Sequence, residues 1–246
     1  MRLNYNIDNI KVDPERLKKL QDQVMLDFTN VTAAYGNDFC IGYSGGKDSV
    51  VVSYFATLFG IVHGACDASF CFPKDVVEMK EIASRLGLKV VFDSFLDDDW
   101  LLMNPKYIFP KGKDSSAFYG KRQQRTIIHH AKKHTGLITG RRHQENMVKS
   151  KVYKTKNGLI NFHPIADWSS VDVWGFVKWK NLPLLSIYNT ALGLQEGATP
   201  WCNISRTKTP NEDDCWKLIY DHDPIFFTTF LSKKYPQAKS WNERFL

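Results

Sequence analysis

Apolar positions recur at helical spacing early in the chain. Leu17, Leu20, Val24 and Phe28 follow Asp13-Pro14 and predict a helix from Asp13 to about Ala34, with proline at its first position. A short apolar run, Phe39-Cys40-Ile41-Gly42-Tyr43, has the length and bounding turn residues of a buried strand. Ser44-Gly45-Gly46-Lys47-Asp48-Ser49 comes next, and then Val50, Val51, Tyr54, Phe55 and Leu58 at helical spacing. Strand, glycine turn and helix form a first unit, and the grammar then repeats. Ile61–Asp67 reads as a second strand. Asp75-Val76-Val77-Glu78 reads as a capping box opening a helix whose core face is Val76, Met79, Ile82, Ala83 and Leu86. Leu88–Phe92 is a third strand, Thr126–Lys133 a helix, and Gly136–Gly140 a short strand ending in glycine. Ser169-Ser170-Val171-Asp172 caps a helix carrying Val173, Phe176 and Val177, and Asp223-Pro224 starts a last helix through Phe226, Phe227 and Phe230.

Strands alternating with helices imply right-handed crossovers and a parallel sheet covered on both faces. The expected fold is α/β: a doubly wound, mostly parallel five-stranded sheet with helices on both faces, an N-terminal helix and a helical C-terminal extension. No internal repeat or low-complexity linker interrupts the chain, so one nucleotide-binding domain is expected over residues 1–246, divided into an N-terminal helix (1–36), a core (37–190) and the extension (191–246). Ligands on such sheets bind beyond the carboxyl ends of the strands. Ser44–Ser49, Asp67 and Gly140 all fall at such ends.

Composition narrows the class. With 43% hydrophobic and 24% charged residues, the chain lacks the signature of disorder. No apolar run approaches the roughly 18 to 20 residues of a membrane span, and the opening Met1–Asp8 stretch lacks the apolar core of a signal peptide. A soluble, cytoplasmic protein with no membrane partner is expected. The net charge of +7 favours an anionic partner, a nucleotide or a nucleic acid. Basic residues gather in Lys111–Arg125, in Lys132–Lys156 and near the C-terminus, and with Trp168, Trp174, Trp179, Trp201, Trp216 and Trp241 they permit a nucleic-acid or protein partner. Five cysteines, Cys40, Cys66, Cys71, Cys202 and Cys215, form no C-x-x-C pair, which argues for reduced thiols and against a zinc or iron–sulfur site.

The glycine turn carries the clearest chemistry. Its glycines allow positive φ and close approach of backbone to ligand. The helix that follows presents unpaired N–H groups and a positive dipole end, so the turn is an anion cradle. Lys47 adds a positive charge, and Ser44 and Ser49 add hydroxyl donors. It is not a Walker A loop, because Ile41 stands where the first glycine is needed and Asp48 where the magnesium-binding hydroxyl is needed. Nor is it a dinucleotide fingerprint, for the third glycine is missing.

Ser44–Ser49 after a first strand resembles the PP-loop of the N-type ATP pyrophosphatase superfamily, and within it the chain is similar to the phosphoadenylyl-sulfate reductase family. Four further segments carry the resemblance: Asp67-Ala68-Ser69-Phe70-Cys71-Phe72-Pro73, Ile138-Thr139-Gly140-Arg141-Arg142-His143, Asn161–Trp168 with Asp172-Val173-Trp174, and Asn181-Leu182-Pro183 through Ile187-Tyr188-Asn189. The resemblance implies an adenine nucleotide, either ATP with Mg2+ or a sulfonucleotide (adenylyl sulfate or phosphoadenylyl sulfate), whose phosphates sit on Ser44, Gly45, Gly46, Lys47, Asp48 and Ser49. It places Asp67 near the adenosine or an ATP-bound magnesium, and Gly140, Arg141 and Arg142 on phosphate, with Lys121, Arg122 and Arg125 as candidates to complete the pocket. Lys47, Asp48 and Arg142 form the expected catalytic set. The chain departs from the reductase pattern at its end: no cysteine follows Cys215, so the family's C-terminal nucleophile is missing, with Cys202 or Cys215 as candidates for its part. Cleavage of ATP between its α and β phosphates, in sulfur or nucleic-acid modification chemistry, is therefore the leading expectation. The alternatives are a sulfonucleotide reductase with an atypical cysteine and a nucleotide-dependent nucleic-acid-binding subunit of a larger complex.

Overall fold

The computed structural model describes residues 10–145, 148, 150–190, 200–206 and 211–246. The start of the expected N-terminal segment and residues 191–199 and 207–210 of the expected C-terminal extension lie outside the described residues. Helix α1 (Pro14–Tyr35) starts where its cap dictates: the Asp13 carboxylate accepts the Arg16 N–H at 3.0 Å, and Pro14 occupies the first turn. Strand β1 (Phe39–Gly42) leads through the glycine turn into α2 (Lys47–Leu58). Then come β2 (His63–Asp67), α3 (Pro73–Arg85), β3 (Lys89–Asp93), α4 (Asp98–Met103), α5 (Gly112–Tyr119) and α6 (Arg125–Ala131). A π-helical turn, Gly120–Gln124, joins α5 to α6. β4 (Gly136–Ile138), β5 (Val152–Lys154), β6 (Ile160–Phe162) and α7 (Ser170–Trp179) complete the core.

The sheet has six strands in the order β3-β2-β1-β4-β6-β5. All neighbours run parallel except β5, which is antiparallel to β6. The fold class is the expected α/β one, but the strand count corrects the expected five. The unforeseen pair is a hairpin, closed by Asn157-Gly158 with Gly158 at φ 86° and with the Thr155 N–H bonded to the Leu159 carbonyl at 2.9 Å. Three-residue strands carry too little alternation to stand out in a sequence, although the Asn-Gly pair is itself a hairpin signal.

Successive strand residues alternate between the two faces. Phe39 and Ile41 join Val50, Val51 and Phe55 of α2 in the larger core. Cys40 turns the other way, into a small cluster with Ala65, Ile127, Ala131 and Leu137 under α6. Phe28 of α1 closes the first face with its ring 5.0 Å from Phe59 and edge-on to Phe162 at 4.9 Å. Helices thus cover both faces, with the chain crossing from one to the other between β3 and β4.

Two helix boundaries differ from expectation. α3 begins at Pro73, with Phe72 as a cap that makes no side-chain bond. Proline at the first position sets that start, and tertiary partners recruit the expected capping residues instead: Asp75 is buried 3.1 Å from His222 Nε2, and Glu78 accepts the Ser186 N–H at 2.6 Å. The helix starting at Pro224 is not the last. It passes through a π-helical stretch, Phe227–Leu231, and helix Pro236–Phe245 follows. A further helix, Glu212–His222, precedes it, so the described part of the C-terminal region is helical as expected. Its rings pack inward, with Trp201 5.0 Å from Tyr235 and Trp216 4.7 Å from Phe109.

α7 opens on the expected capping box, in which the Ser169 hydroxyl accepts the Asp172 N–H and Asp172 accepts the Ser169 N–H. Arg16 of α1 grips the same carboxylate with two bonds, of 2.6 and 3.0 Å. Burial pushes the Asp172 carboxyl up, but the Arg16 guanidinium and the Ser169 donors outweigh it and hold it below the ordinary carboxylate value. Because the folded state binds this proton less readily than the unfolded chain, ionised Asp172 stabilises the fold above about pH 4, and that stability is lost as the pH falls through the folded-state value. The variant Asp172→Asn should be less stable at pH 7 by about 1–2 kcal/mol and should lose less stability below pH 4. Urea midpoints measured from pH 7 to pH 3 check this, and parallel curves for the two proteins would refute it.

Candidate functional site

The site begins where β1 ends. Tyr43 is buried and its hydroxyl donates to the Met79 carbonyl at 3.0 Å, tying the strand exit to α3. At Gly45 φ is 67°, and a Cβ there would lie 2.6 Å from Met79 Cγ and 3.1 Å from Leu185 Cδ1, so conformation and space both require glycine. The turn is held from within. The Ser44 N–H donates to Ser49 Oγ at 3.2 Å, the Ser49 hydroxyl donates to the Gly46 carbonyl at 2.9 Å, and the Gly46 N–H reaches Ser44 Oγ at 3.4 Å. α2 starts at Lys47 without a side-chain cap from Gly46. The Lys47 N–H instead donates to the Tyr188 hydroxyl at 2.9 Å.

A charged cluster sits on this first helical turn. Asp48 pairs with Lys47 Nζ through Oδ2 and with Arg142 Nε through Oδ1, the latter at 2.8 Å. Arg142 also donates to Gln144 Oε1 at 3.0 Å, which accepts the Ser170 N–H at 2.9 Å. The Lys47 ammonium lies 5.9 Å from the Trp174 ring centre. Gly140 closes the arrangement: a Cβ there would stand 2.7 Å from the Asp48 carbonyl carbon and 2.8 Å from its oxygen. The exit of β4 therefore packs directly on the α2 backbone. β1 and β4 are the adjacent strands from which the chain winds in opposite directions, the position where α/β sheets open a crevice.

A cleft of about 270 Å3 runs from this turn along the sheet face that α6 covers. Ser44, Asp48, Ser49, Gly140 and Arg141 line its mouth, and Arg141 Nη2 donates to the Tyr119 hydroxyl at 3.0 Å. Leu137, Thr139, Asn161 and His163 form the floor, with Ile127 and Ile128 of α6 on one side and Tyr153 and Leu159 of the hairpin on the other. His163 is buried, with Nδ1 2.8 Å from Thr139 Oγ1. Burial, helped by the nearby Arg141 charge, lowers its pKa to about 4.

The structure brings Ser44–Ser49, Gly140, Arg141 and Arg142 together but separates the two arginines: Arg141 lines the cleft while buried Arg142 braces Asp48. Asp67 stands apart. It is buried at the end of β2, accepts the Ser69 N–H at 2.9 Å and pairs with Arg122 Nε at 3.3 Å. Arg122 is spent on that contact and on the Ser69 carbonyl, and Arg125 lies over Phe95, so neither joins the cleft. Lys121 is exposed on the π-helical turn. Cys202 and Cys215 are buried, and burial raises the Cys202 thiol far above its ordinary value, which suits packing and not nucleophilic attack. Trp168, Trp174, Trp201, Trp216 and Trp241 are buried too, which removes them as stacking platforms for bases. Tyr188, Thr139, Asn161 and His163 lie in segments that carry the resemblance, yet sequence reasoning gave none of them a role at the site. Alternation of Asn161 and His163 with Ile160 and Phe162 would have shown a strand with a polar face, had Pro164 not cut it so short.

The profile of the phosphoadenosine phosphosulfate reductase domain family matches residues 38–193. The chain belongs to that family, and with it to the PP-loop superfamily of adenine nucleotide alpha hydrolases. Among curated proteins it is similar to the NH3-dependent NAD+ synthetase of Pyrococcus horikoshii, at 22% identity over 198 residues, covering 74% of this chain and 72% of the relative. Two solved structures share the fold. The phosphoadenylyl-sulfate reductase of Candida auris, a phosphate complex, matches at 16% identity with a TM-score of 0.52, over 78% of this chain and 97% of that one. The NMN synthetase of Francisella tularensis matches at 15% identity with a TM-score of 0.55, over 93% of both chains.

Two outcomes follow from the packing. Gly140→Ala must push β4 off the α2 backbone, so it should cost about 2 kcal/mol or more, read from thermal and urea unfolding; a variant that melts with the wild type would sink the close-approach account. The His163 imidazole should stay neutral throughout pH 5.5–8, and its side-chain NMR signals should not titrate there. A midpoint near 6.5 would contradict the burial described.

Proposed function

We propose that this protein is a PP-loop ATP pyrophosphatase: it binds ATP with Mg2+ and cleaves the α–β bond, transferring the adenylyl group to an oxygen nucleophile. The observation that carries the proposal is the self-braced Ser44–Ser49 turn at a helix N-terminus, with Lys47, Asp48 and Arg142 arrayed on it at the β1/β4 switch point. Family membership supports it, and so does the likeness to an NH3-dependent NAD+ synthetase.

In the proposed step the nucleophile forms a bond to Pα while the bond from Pα to the bridging oxygen breaks, and the electron pair leaves on pyrophosphate. The chain has little covalent work to do. Its task is to oppose the charge that grows on the leaving group. The α2 dipole faces that charge, and Lys47, held ready by Asp48, can turn from the carboxylate to the phosphates while buried Arg142 keeps Asp48 in place. Among the described residues no group of three or more His, Cys, Asp or Glu side chains could hold a metal, and Asp67 is committed to Arg122. Magnesium would therefore arrive on the nucleotide phosphates, as it commonly does, and its chemistry would be charge neutralisation there.

A sulfonucleotide presents a similar anion, so the cradle suits it. The reductive step does not follow, because it needs a thiolate and Cys202 and Cys215 are buried in the core. Sulfite release that disappears in Cys202→Ser or Cys215→Ser would reverse that preference.

Thermal unfolding with ATP and Mg2+ tests the binding step. About 2.7 kcal/mol of stabilisation is expected at 100 times the dissociation constant. Pyrophosphate release should appear with ATP, and Lys47→Ala should lower kcat/KM by about 100-fold or more. Absence of any ATP-dependent stabilisation would overturn the proposal.

A further inference from the structure

The inner end of the cleft differs chemically from its mouth. Asp48 and Arg141, the charged residues of the lining, stand at the mouth beside the glycine turn. Farther in, the walls are Ile127, Leu137, Leu159 and the Tyr153 ring, and the polar groups, Asn161 and His163, carry no charge. His163 is the telling one. It is 1% exposed, Thr139 fixes one ring nitrogen at 2.8 Å, and Nε2 has no hydrogen-bond partner. A buried ring nitrogen left in that state costs about 1–3 kcal/mol, and native proteins seldom leave one without a reason. Tyr153 stacks at a tilt over His163 with ring centres 5.7 Å apart, and at 40% exposure it stands where the hairpin end of the cleft meets solvent.

We infer that this inner end is the acceptor subsite and that it takes an uncharged planar heterocycle, with one edge hydrogen-bonded to His163 Nε2 and Asn161 and one face against Tyr153. The inference rests on the proposed adenylyl transfer, since it supplies that reaction's second substrate. Three features select the ligand. A charged ring would have to shed its hydration against the apolar walls Leu137, Leu159 and Ile127. The whole cleft, mouth included, has a volume of about 270 Å3, below the roughly 300–1,000 Å3 of pockets that enclose a drug-sized ligand, so its inner part suits a ring with its polar substituents directed at the mouth. Tyr153 lines the cleft and is 40% exposed, so the acceptor would exchange past it without passing the Ser44–Ser49 turn, where the nucleotide phosphates would sit.

Uracil, nicotinamide and riboflavin serve as probes, titrated into the intact protein with and without α,β-methylene-ATP and Mg2+. The readouts are isothermal calorimetry and the side-chain 15N signals of His163. At least one probe should bind saturably and shift the Nε2 signal. Its dissociation constant should rise about tenfold in His163→Phe and three- to tenfold in Tyr153→Ala, a surface change that leaves the core intact, while affinity for the ATP analogue changes less than twofold. If no probe binds, or if the analogue alone moves Nε2 and loses affinity in both variants, the subsite is not an acceptor site and the inference falls. The two proposals fail separately: an analogue that binds without any probe removes only the subsite, whereas a probe that binds without any analogue removes the ATP reading.

Discussion

The contact between Gly140 and the backbone of Asp48 is the constraint on which the site depends. Two chain segments more than ninety residues apart meet there closely enough that a single methyl group would intrude on a carbonyl. The approach lets Arg142, two residues on, reach across to Asp48, and it places Thr139, one residue before, on the cleft floor. The phosphate-type cradle and the polar floor are thus two sides of one junction, and neither can shift without the other.

Charge is distributed around that junction with a consistent logic. Asp48 binds both Lys47 and Arg142, so the cations are neutralised and held in place while they wait at the mouth of a helix whose own dipole is positive. Deeper in, burial strips charge away and leaves His163 neutral. A gradient from charged mouth to uncharged interior results, and it follows the path from the strand ends toward the hairpin.

The C-terminal helices contribute by occupation. The Trp201 backbone N–H donates to the Phe70 carbonyl at 2.9 Å, the Phe109 backbone N–H donates to the Cys202 carbonyl at 2.6 Å, and His222 lies against Asp75. The first and last of these contacts fasten the region after α7 to the β2–α3 junction, and the second fastens it to the segment between α4 and α5. The packing buries Trp201, Trp216, Trp241, Cys202 and Cys215, residues that had suggested base stacking or thiol chemistry. A residue's type opened those options, and its burial closed them.

Much of the architecture was legible in the pattern of apolar residues. The order of strand, glycine turn and helix, the start of α1 at Asp13-Pro14 and the box at Ser169–Asp172 depend on bonds and periodicities within a few residues, so local sequence suffices to specify them. The glycine turn is legible for the same reason, because positive φ at Gly45 is a demand of its own backbone. What the tertiary structure alone decided concerns partners distant in the chain. Asp75 looked like a cap and became a partner of His222; Asp67 looked like a ligand contact and was claimed by Arg122; Arg141 and Arg142 looked alike and diverged. His163 gained its buried, neutral character only once β4, β6 and the hairpin closed around it. Sequence spacing describes neighbours along the chain, while burial and long-range pairing arise from neighbours in space, and those determine which side chains are left to act.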